Sequence, residues 1–183
     1  MTGTDRSARP DNEPGDANQG GIVLRHNTAS LEAVLDHLWR CDTAFSPPLS
    51  SRVKLPEYAA RLMDKSERVE AWHCGRHKET LVGLVALYCN AEDQVDAFIT
   101  SVSVDKAHQG TGIGRRLVFA ALQHAKNAGF VQINLRVHTG AMAARQVYHA
   151  LGFVESERSG DELTLVRLLP RRSHPVGSTD QDT

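Results

Sequence analysis

The sequence predicts a mixed α/β (α+β) domain, with a mostly antiparallel central sheet of about seven strands flanked by about four helices. Two observations carry this. Three apolar, strand-like runs between Val69 and Val104 are joined by short turns, as in an antiparallel meander. After Val104 the apolar period switches, and helices alternate with strands, for the order β-α-α-β-β-β-α-β-α-β-β. The 183 residues suit one domain, and 40% hydrophobic with 23% charged residues fits an ordinary globular chain.

Residues 1–20 lack aliphatic residues beyond Met1 and alanines, and residues 171–183 hold a single Val. Neither buries enough apolar surface to offset ordering, so both are expected to be disordered tails. The domain is therefore expected over residues 21–170, long enough to bury roughly 70% of its unfolded surface.

Ile22 to Arg25 reads as the first strand. Thr28 or Ser30 then caps a helix whose Leu31, Val34, Leu35, Leu38 and Trp39 recur at helical spacing. Pro47 and Pro48 break the chain, since two prolines do not fit a helix interior. Leu55 to Met63 forms the second helix, with Pro56 in its first turn and Leu55, Tyr58, Ala59 and Leu62 on one face. Val69 to Cys74, Leu81 to Tyr88 and Val95 to Val104 are the meander strands. Simple alternation in the third puts Ile99, Ser101 and Ser103 on one face, and Phe98, Thr100, Val102 and Val104 on the other.

Gly112 to Ala128 is helical, with Ile113, Leu117, Val118, Ala121, Leu122 and Ala125 as its buried stripe and Gly129 closing it. Val131 to Val137 is a strand, Ala141 to Leu151 a helix, and Phe153 to Glu157 with Glu162 to Leu169 a closing hairpin.

The densest chemistry lies from Val102 to Leu117, where a strand ends, three alternate glycines follow and an amphipathic helix begins. Glycines let the backbone turn tightly and approach a ligand. The helix start adds unpaired N–H donors and about half a positive charge. Together Gly110, Gly112 and Gly114 with Arg115 and Arg116 make an anion cradle suited to phosphate or pyrophosphate. A P-loop would need Gly-Lys-Ser/Thr, and a dinucleotide fingerprint would need a third Gly where Arg115 stands.

The stretch resembles the acyl-CoA site of the GNAT superfamily of N-acetyltransferases, whose signature is Q/R-x-x-G-x-G/A after a strand. Gln109, Gly112 and Gly114 match it. A second family element, A-x-x-Φ-Y-x-x-x-G-F with Φ apolar, fits Ala144 to Phe153 throughout, with Tyr148 at the tyrosine position. The element order from Ile22 to Leu169 agrees. One departure is Ala141, where the family often carries an Asn that holds the cofactor arm or caps the helix.

The resemblance implies direct transfer of an acetyl group from acetyl-CoA, as co-substrate, to an amine. The cofactor-contacting set it implies is Val102, Ser103, Val104, Gln109, Gly110, Thr111, Gly112, Ile113, Gly114 and Arg115. In relatives a backbone N–H, here around Val104, holds the carbonyl oxygen. Backbone groups of Val102 and Val104 would pair with the pantetheine arm like an added strand. The strands Val95–Val104 and Val131–Val137 would splay to form the slot. Tyr148 is the expected acid for the leaving thiolate. A phenol near ~10 and a thiol near ~8.5 make that transfer uphill by roughly 2 kcal/mol unless the thiolate is poorly solvated.

For the amine proton, His138 is a candidate base because it follows the Val131–Val137 strand; Asp96, Thr100 and Ser101 are alternatives. Acceptor specificity is expected in the Trp39 to Leu62 segment, above all Phe45 to Arg52, whose serines and Arg52 suit a hydroxylated acceptor such as an amino sugar. Two other readings of the residues stand beside this one: a non-catalytic acyl-CoA-binding module, and an interaction domain with a Gly-rich turn.

A formal net charge of −1 gives no global field for nucleic acid or an anionic membrane. The longest apolar run, Leu81 to Tyr88, is too short to span a bilayer. Cys41, Cys74 and Cys89 form no CxxC pair, so no metal and no disulfide framework are expected. Residues 1–20 have no apolar core of a secretory signal, so a cytoplasmic location is expected. The expected partner is a small-molecule amine, with neither nucleic acid nor membrane, and a homodimer is left open.

Overall fold

The computed structural model describes residues 21–76 and 78–170, so both expected tails lie outside the described residues. The strands are β1 (Gly21–His26), β2 (Glu67–Cys74), β3 (Glu79–Tyr88), β4 (Asp96–Val104), β5 (Gln132–His138), β6 (Val154–Ser159) and β7 (Glu162–Leu168). The helices are α1 (Leu31–Cys41), α2 (Leu55–Lys65), α3 (Ile113–Asn127) and α4 (Met142–Ala150). They follow the order read from the sequence.

The seven strands form one sheet in the order β1-β2-β3-β4-β5-β7-β6. Every pair is antiparallel except β4 with β5. β3 is buried on both faces and divides two cores. Its Leu84 and Ala86 pack with Val34, Leu38, Leu55 and Leu62 of α1 and α2. Its Val85 and Leu87 pack with Leu117, Val118 and Leu122 of α3, joined by Tyr148 of α4. The stripes of α2 and α3 are buried as the spacing predicts.

The stripe of α1 differs. Its buried residues are Val34, His37, Leu38 and Cys41, whereas Leu31 and Trp39 are exposed. The helix is rotated so that a polar His37 takes a core position, because a hydrogen-bond partner awaits it on the sheet. Ser30, not Thr28, caps α1 by accepting from the Ala33 N–H. Thr28 instead donates its hydroxyl to the buried Glu70 carboxylate.

β4 also departs from simple alternation. Ala86 pairs with Ser101 and Leu87 with Ile99, leaving Thr100 as a bulged extra residue. The bulge reverses the faces. Ile99 packs in the α3 core together with Val102 and Val104, and Ser103 turns toward α1. Without it, both valines would face α1.

Candidate functional site

The parallel ladder between β4 and β5 runs only from Asp96↔Gln132 to Ile99↔Leu135. β4 continues to Val104 and β5 to His138, so the two strands part and the sheet opens. A cleft of about 830 Å³ occupies the opening. One wall is Val102, Ser103 and Val104 of β4; another is the run from His108 to Arg115; a third is Gly140 to Ala144 with Val147 and Tyr148 of α4. Ala44, Phe45 and Ser46 close it from the α1–α2 connection.

The glycine loop is built as its residues require. Gly110 (φ 76°) and Gly112 (φ 83°) take the left-handed conformation that side chains resist. A Cβ at either would meet nothing within 4 Å, so both positions face open space. Gly112 caps the start of α3, and no side chain bonds the helix's free N–H groups there. The N-terminus is thus available to an anion. Thr111 braces the loop by donating its hydroxyl to the His108 carbonyl at 2.6 Å. Gln109 ties it to the end of β4, its side-chain amide donating to the Val104 carbonyl at 3.0 Å. Gln109 therefore acts on the loop's shape, and it engages the Val104 carbonyl expected for the pantetheine arm. Arg115 lines the cleft; Arg116 turns away, toward the Ile22 carbonyl at 3.5 Å.

Tyr148 lines the opposite wall, 7% exposed, its ring edge-on to Phe153 with centroids 5.8 Å apart. Burial pushes its phenol up to about 12. α4 begins at Ala141 without a side-chain cap.

The base candidates fall elsewhere. His138 is not among the residues lining the cleft; its Nδ1 accepts from the Gly140 N–H at 3.1 Å and shapes the turn into α4. Asp96 lies at the closed end of the β4–β5 ladder, its Oδ1 accepting from Gln132 and Asn134 at 2.6 Å each. Thr100 is the bulge residue, and its carbonyl accepts from the Tyr58 hydroxyl at 3.3 Å. Ser101 is buried, its hydroxyl unpartnered among the described residues.

In the α1–α2 connection, Phe45 and Ser46 reach the cleft while the other serines serve the loop. Ser50 donates its N–H and hydroxyl to the Asp42 carboxylate at 2.7 Å each, and Ser51 its hydroxyl to the Pro48 carbonyl at 2.6 Å. Arg52 borders a separate depression beside the exposed Trp39.

Two polar groups near the cleft escaped sequence reasoning. His108 lines it, with its ring 5.5 Å from that of His73. His37 lies behind Ser103, with Nε2 2.8 Å from the serine Oγ and Nδ1 3.2 Å from the Leu81 carbonyl. Cys41 donates its thiol to Asp105 at 3.4 Å, and Arg40 pairs with the same carboxylate. His37, Cys41 and Asp105 place ligand-type atoms within 4.8 Å of one another; Arg40 pairs with Asp105, and burial pushes the Cys41 thiol up to about 12. The stripe Val34, His37, Leu38, Cys41 has the same i, i+3, i+4, i+7 spacing as Leu31, Val34, Leu35, Leu38, and the second is wholly apolar, so spacing alone does not single out His37.

A strand that parts from its parallel neighbour, beside a glycine loop feeding an uncapped helix, is the arrangement of the acetyltransferase (GNAT) fold. The sequence profile of the acetyltransferase (GNAT) family matches residues 31–153, and the chain belongs to that family. It is 44% identical over 52 residues to a mycothiol acetyltransferase of Streptosporangium roseum, a stretch that is 28% of this chain and 15% of that relative. The matched curated relatives are thus much longer than the part this chain aligns with. Among solved structures, the ribosomal-protein-S18-alanine N-acetyltransferase of Escherichia coli superposes with a TM-score of 0.65 at 17% identity, over 85% of this chain and 99% of that one. The PaiA N-acetyltransferase of Thermoplasma acidophilum, in complex with coenzyme A, superposes with a TM-score of 0.63 at 15% identity, over 81% and 99%. Among the described residues no helix is long and apolar enough to cross a membrane.

Proposed function

We propose that the chain is an acetyl-CoA-dependent N-acetyltransferase, acting directly on a primary amine of a small molecule or peptide. The observation that carries this is the coincidence, in one cleft, of parted β4 and β5, an uncapped α3 start and the buried Tyr148. Bound acetyl-CoA would supply an activated acyl group and a thiol leaving group. The backbone N–H groups from Gly110 to Arg115 would hold its pyrophosphate, and the unpaired edge of β4 beyond Ile99 would align its arm. A β4 backbone N–H would hold the carbonyl oxygen as charge develops there. Tyr148 would protonate the departing sulfur.

The likeness to mycothiol acetyltransferases supports acetyl as the group transferred. The acceptor class rests on the residues. Phe45 and Ser46 contribute one apolar and one polar contact, with no acidic side chain in the lining, so a compact neutral or weakly basic amine fits better than a polycation.

Calorimetry with acetyl-CoA, followed by free-thiol release across amines, amino sugars and short peptides, tests the reading. Heat with acetyl-CoA and thiol release with at least one amine are expected. Heat without release would make the chain a binding module, and no heat would remove the acyl-CoA site.

A further inference from the structure

Ser103 and His37 form a hydrogen-bonded pair whose direction the surroundings fix. The Leu81 carbonyl, 3.2 Å from His37 Nδ1, can only accept, and so can the Asp105 Oδ1 at 3.9 Å. The ring proton therefore sits on Nδ1. The ring is wholly buried, which favours its neutral form and leaves Nε2 as a bare lone pair. The Ser103 hydroxyl, 2.8 Å away, must donate to it. The reverse direction would set two lone pairs against each other at Leu81. A hydroxyl has one hydrogen, and here His37 takes it. Ser103 therefore has only lone pairs for a ligand, and it lines the cleft on the stretch of β4 between Val102 and Val104.

We propose that Ser103 receives the acceptor's amino group and relays its proton to His37, making Ser103 a catalytic residue and His37 the residue that positions and polarises it. This rests on the N-acetyltransferase reading above. As the amine nitrogen bonds to the acyl carbon and the carbon–sulfur bond breaks, one N–H proton passes to Ser103 Oγ while the serine's own proton passes to His37 Nε2. The sulfur leaves with the Tyr148 proton. His37 then releases its proton to solvent along the same route, and Tyr148 regains one. The sum is amine plus thioester to amide plus thiol.

The charged and titratable groups facing His37 are Asp36, Arg40 and Cys41 on α1, and Asp105 after β4. Asp105 steadies the transient imidazolium, while Arg40 on that carboxylate keeps the resting ring neutral. An oxygen with lone pairs only also selects ligands that bring an N–H, which sharpens the preference for amines.

The test uses the full chain, acetyl-CoA, and glucosamine, ethylamine and the dipeptide Ala-Gly as acceptor probes. Ser103→Ala is expected to lower kcat about 100-fold on every amine the wild type acetylates. Its acetyl-CoA affinity stays within about twofold, since the cofactor arm is expected to pair with backbone groups of β4 and not with this hydroxyl. Ser103→Thr, which keeps the hydroxyl, restores most of the rate. Long-range nitrogen NMR of the wild type should find the His37 proton on Nδ1, a readout that needs no turnover. Wild-type kcat in Ser103→Ala, or a proton on Nε2, overturns the relay while leaving the acetyltransferase reading standing. A wild type that binds acetyl-CoA and acetylates none of the probes removes both.

Discussion

Tyr148 is enclosed enough that its phenol is pushed up to about 12, so it stays protonated across the working range of any ordinary enzyme. Against a thiol near ~8.5 the transfer to sulfur is then uphill by about 5 kcal/mol at face value. The same enclosure must raise the thiolate's basicity, because a sulfur leaving into an apolar cleft is as poorly solvated as the phenolate would be. In the proposed reaction, acid and leaving group would be matched by sharing one environment. Tyr148→Phe should therefore lower kcat about 100-fold with acetyl-CoA affinity changed less than about threefold, by stopped thiol release and calorimetry. Equal turnover would retire the acid role. Tyr148 was legible in the sequence because its motif is local, with Ala144, Gly152 and Phe153 at fixed offsets. The Ser103–His37 pair was not, because its members stand 66 positions apart and meet only when α1 lies across β4.

At the scale of elements, the cradle and the packing of α3 depend on glycines for opposite reasons. Gly112 needs its left-handed φ of 83° and faces open space, so a side chain there strains the backbone and enters the cleft. Gly112→Glu should abolish acetyl-CoA binding by placing a carboxylate where the pyrophosphate would sit. Gly160→Glu, at φ 57° in the β6–β7 hairpin, carries similar strain and should bind normally, which separates charge from strain in one calorimetric comparison. Gly83 on β3 is needed because α3 lies against it. A Cβ there would meet Leu117 Cδ1 at 2.9 Å, Ile113 Cγ2 at 3.0 Å and Ala71 Cβ at 3.2 Å. Gly83→Val should destabilise the fold by about 1–3 kcal/mol in urea, because Leu117 is wholly buried and has nowhere to move. The α3 stripe was readable from spacing alone, whereas the glycine it packs on was not, since nothing in the β3 run marks which residue a helix will cover. The Thr100 bulge was hidden for a related reason: alternation assumes an unbroken pleat, and one extra residue exchanges the faces of Ser103 and Val104.

For the molecule as a whole, the strand order of the sheet is what puts chemistry at its centre. The meander and the closing hairpin were legible as short connections, but the insertion of β7 between β5 and β6 depends on pairings across the sheet that no local pattern carries. The resulting sheet is covered on both faces, and His37 lies in the α1 layer as a buried polar group bonded to β3 and β4. That burial couples global stability to pH. The ring's pKa falls from 6.5 to about 4 in the folded chain, with desolvation the main cause and Asp105 opposing it. Between those values the unfolded chain binds more protons than the folded one, so stability is complete above about pH 6.5 and drains away as pH falls toward 4. The shift corresponds to about 3 kcal/mol. The Glu79 carboxyl, held at about 2 by Arg25, adds its own loss only from about pH 4.5 downward, where its unfolded form begins to protonate. Urea unfolding at pH 7, 6, 5 and 4.5 should therefore show most of the acid loss before the carboxylates contribute. His37→Gln, whose amide can still donate to the Leu81 carbonyl, should start less stable and lose far less between pH 7 and 4.5. A wild type whose unfolding free energy is level over that interval would mean that the imidazole is not enclosed in the core, and with it the fixed direction of the Ser103 hydrogen bond would go.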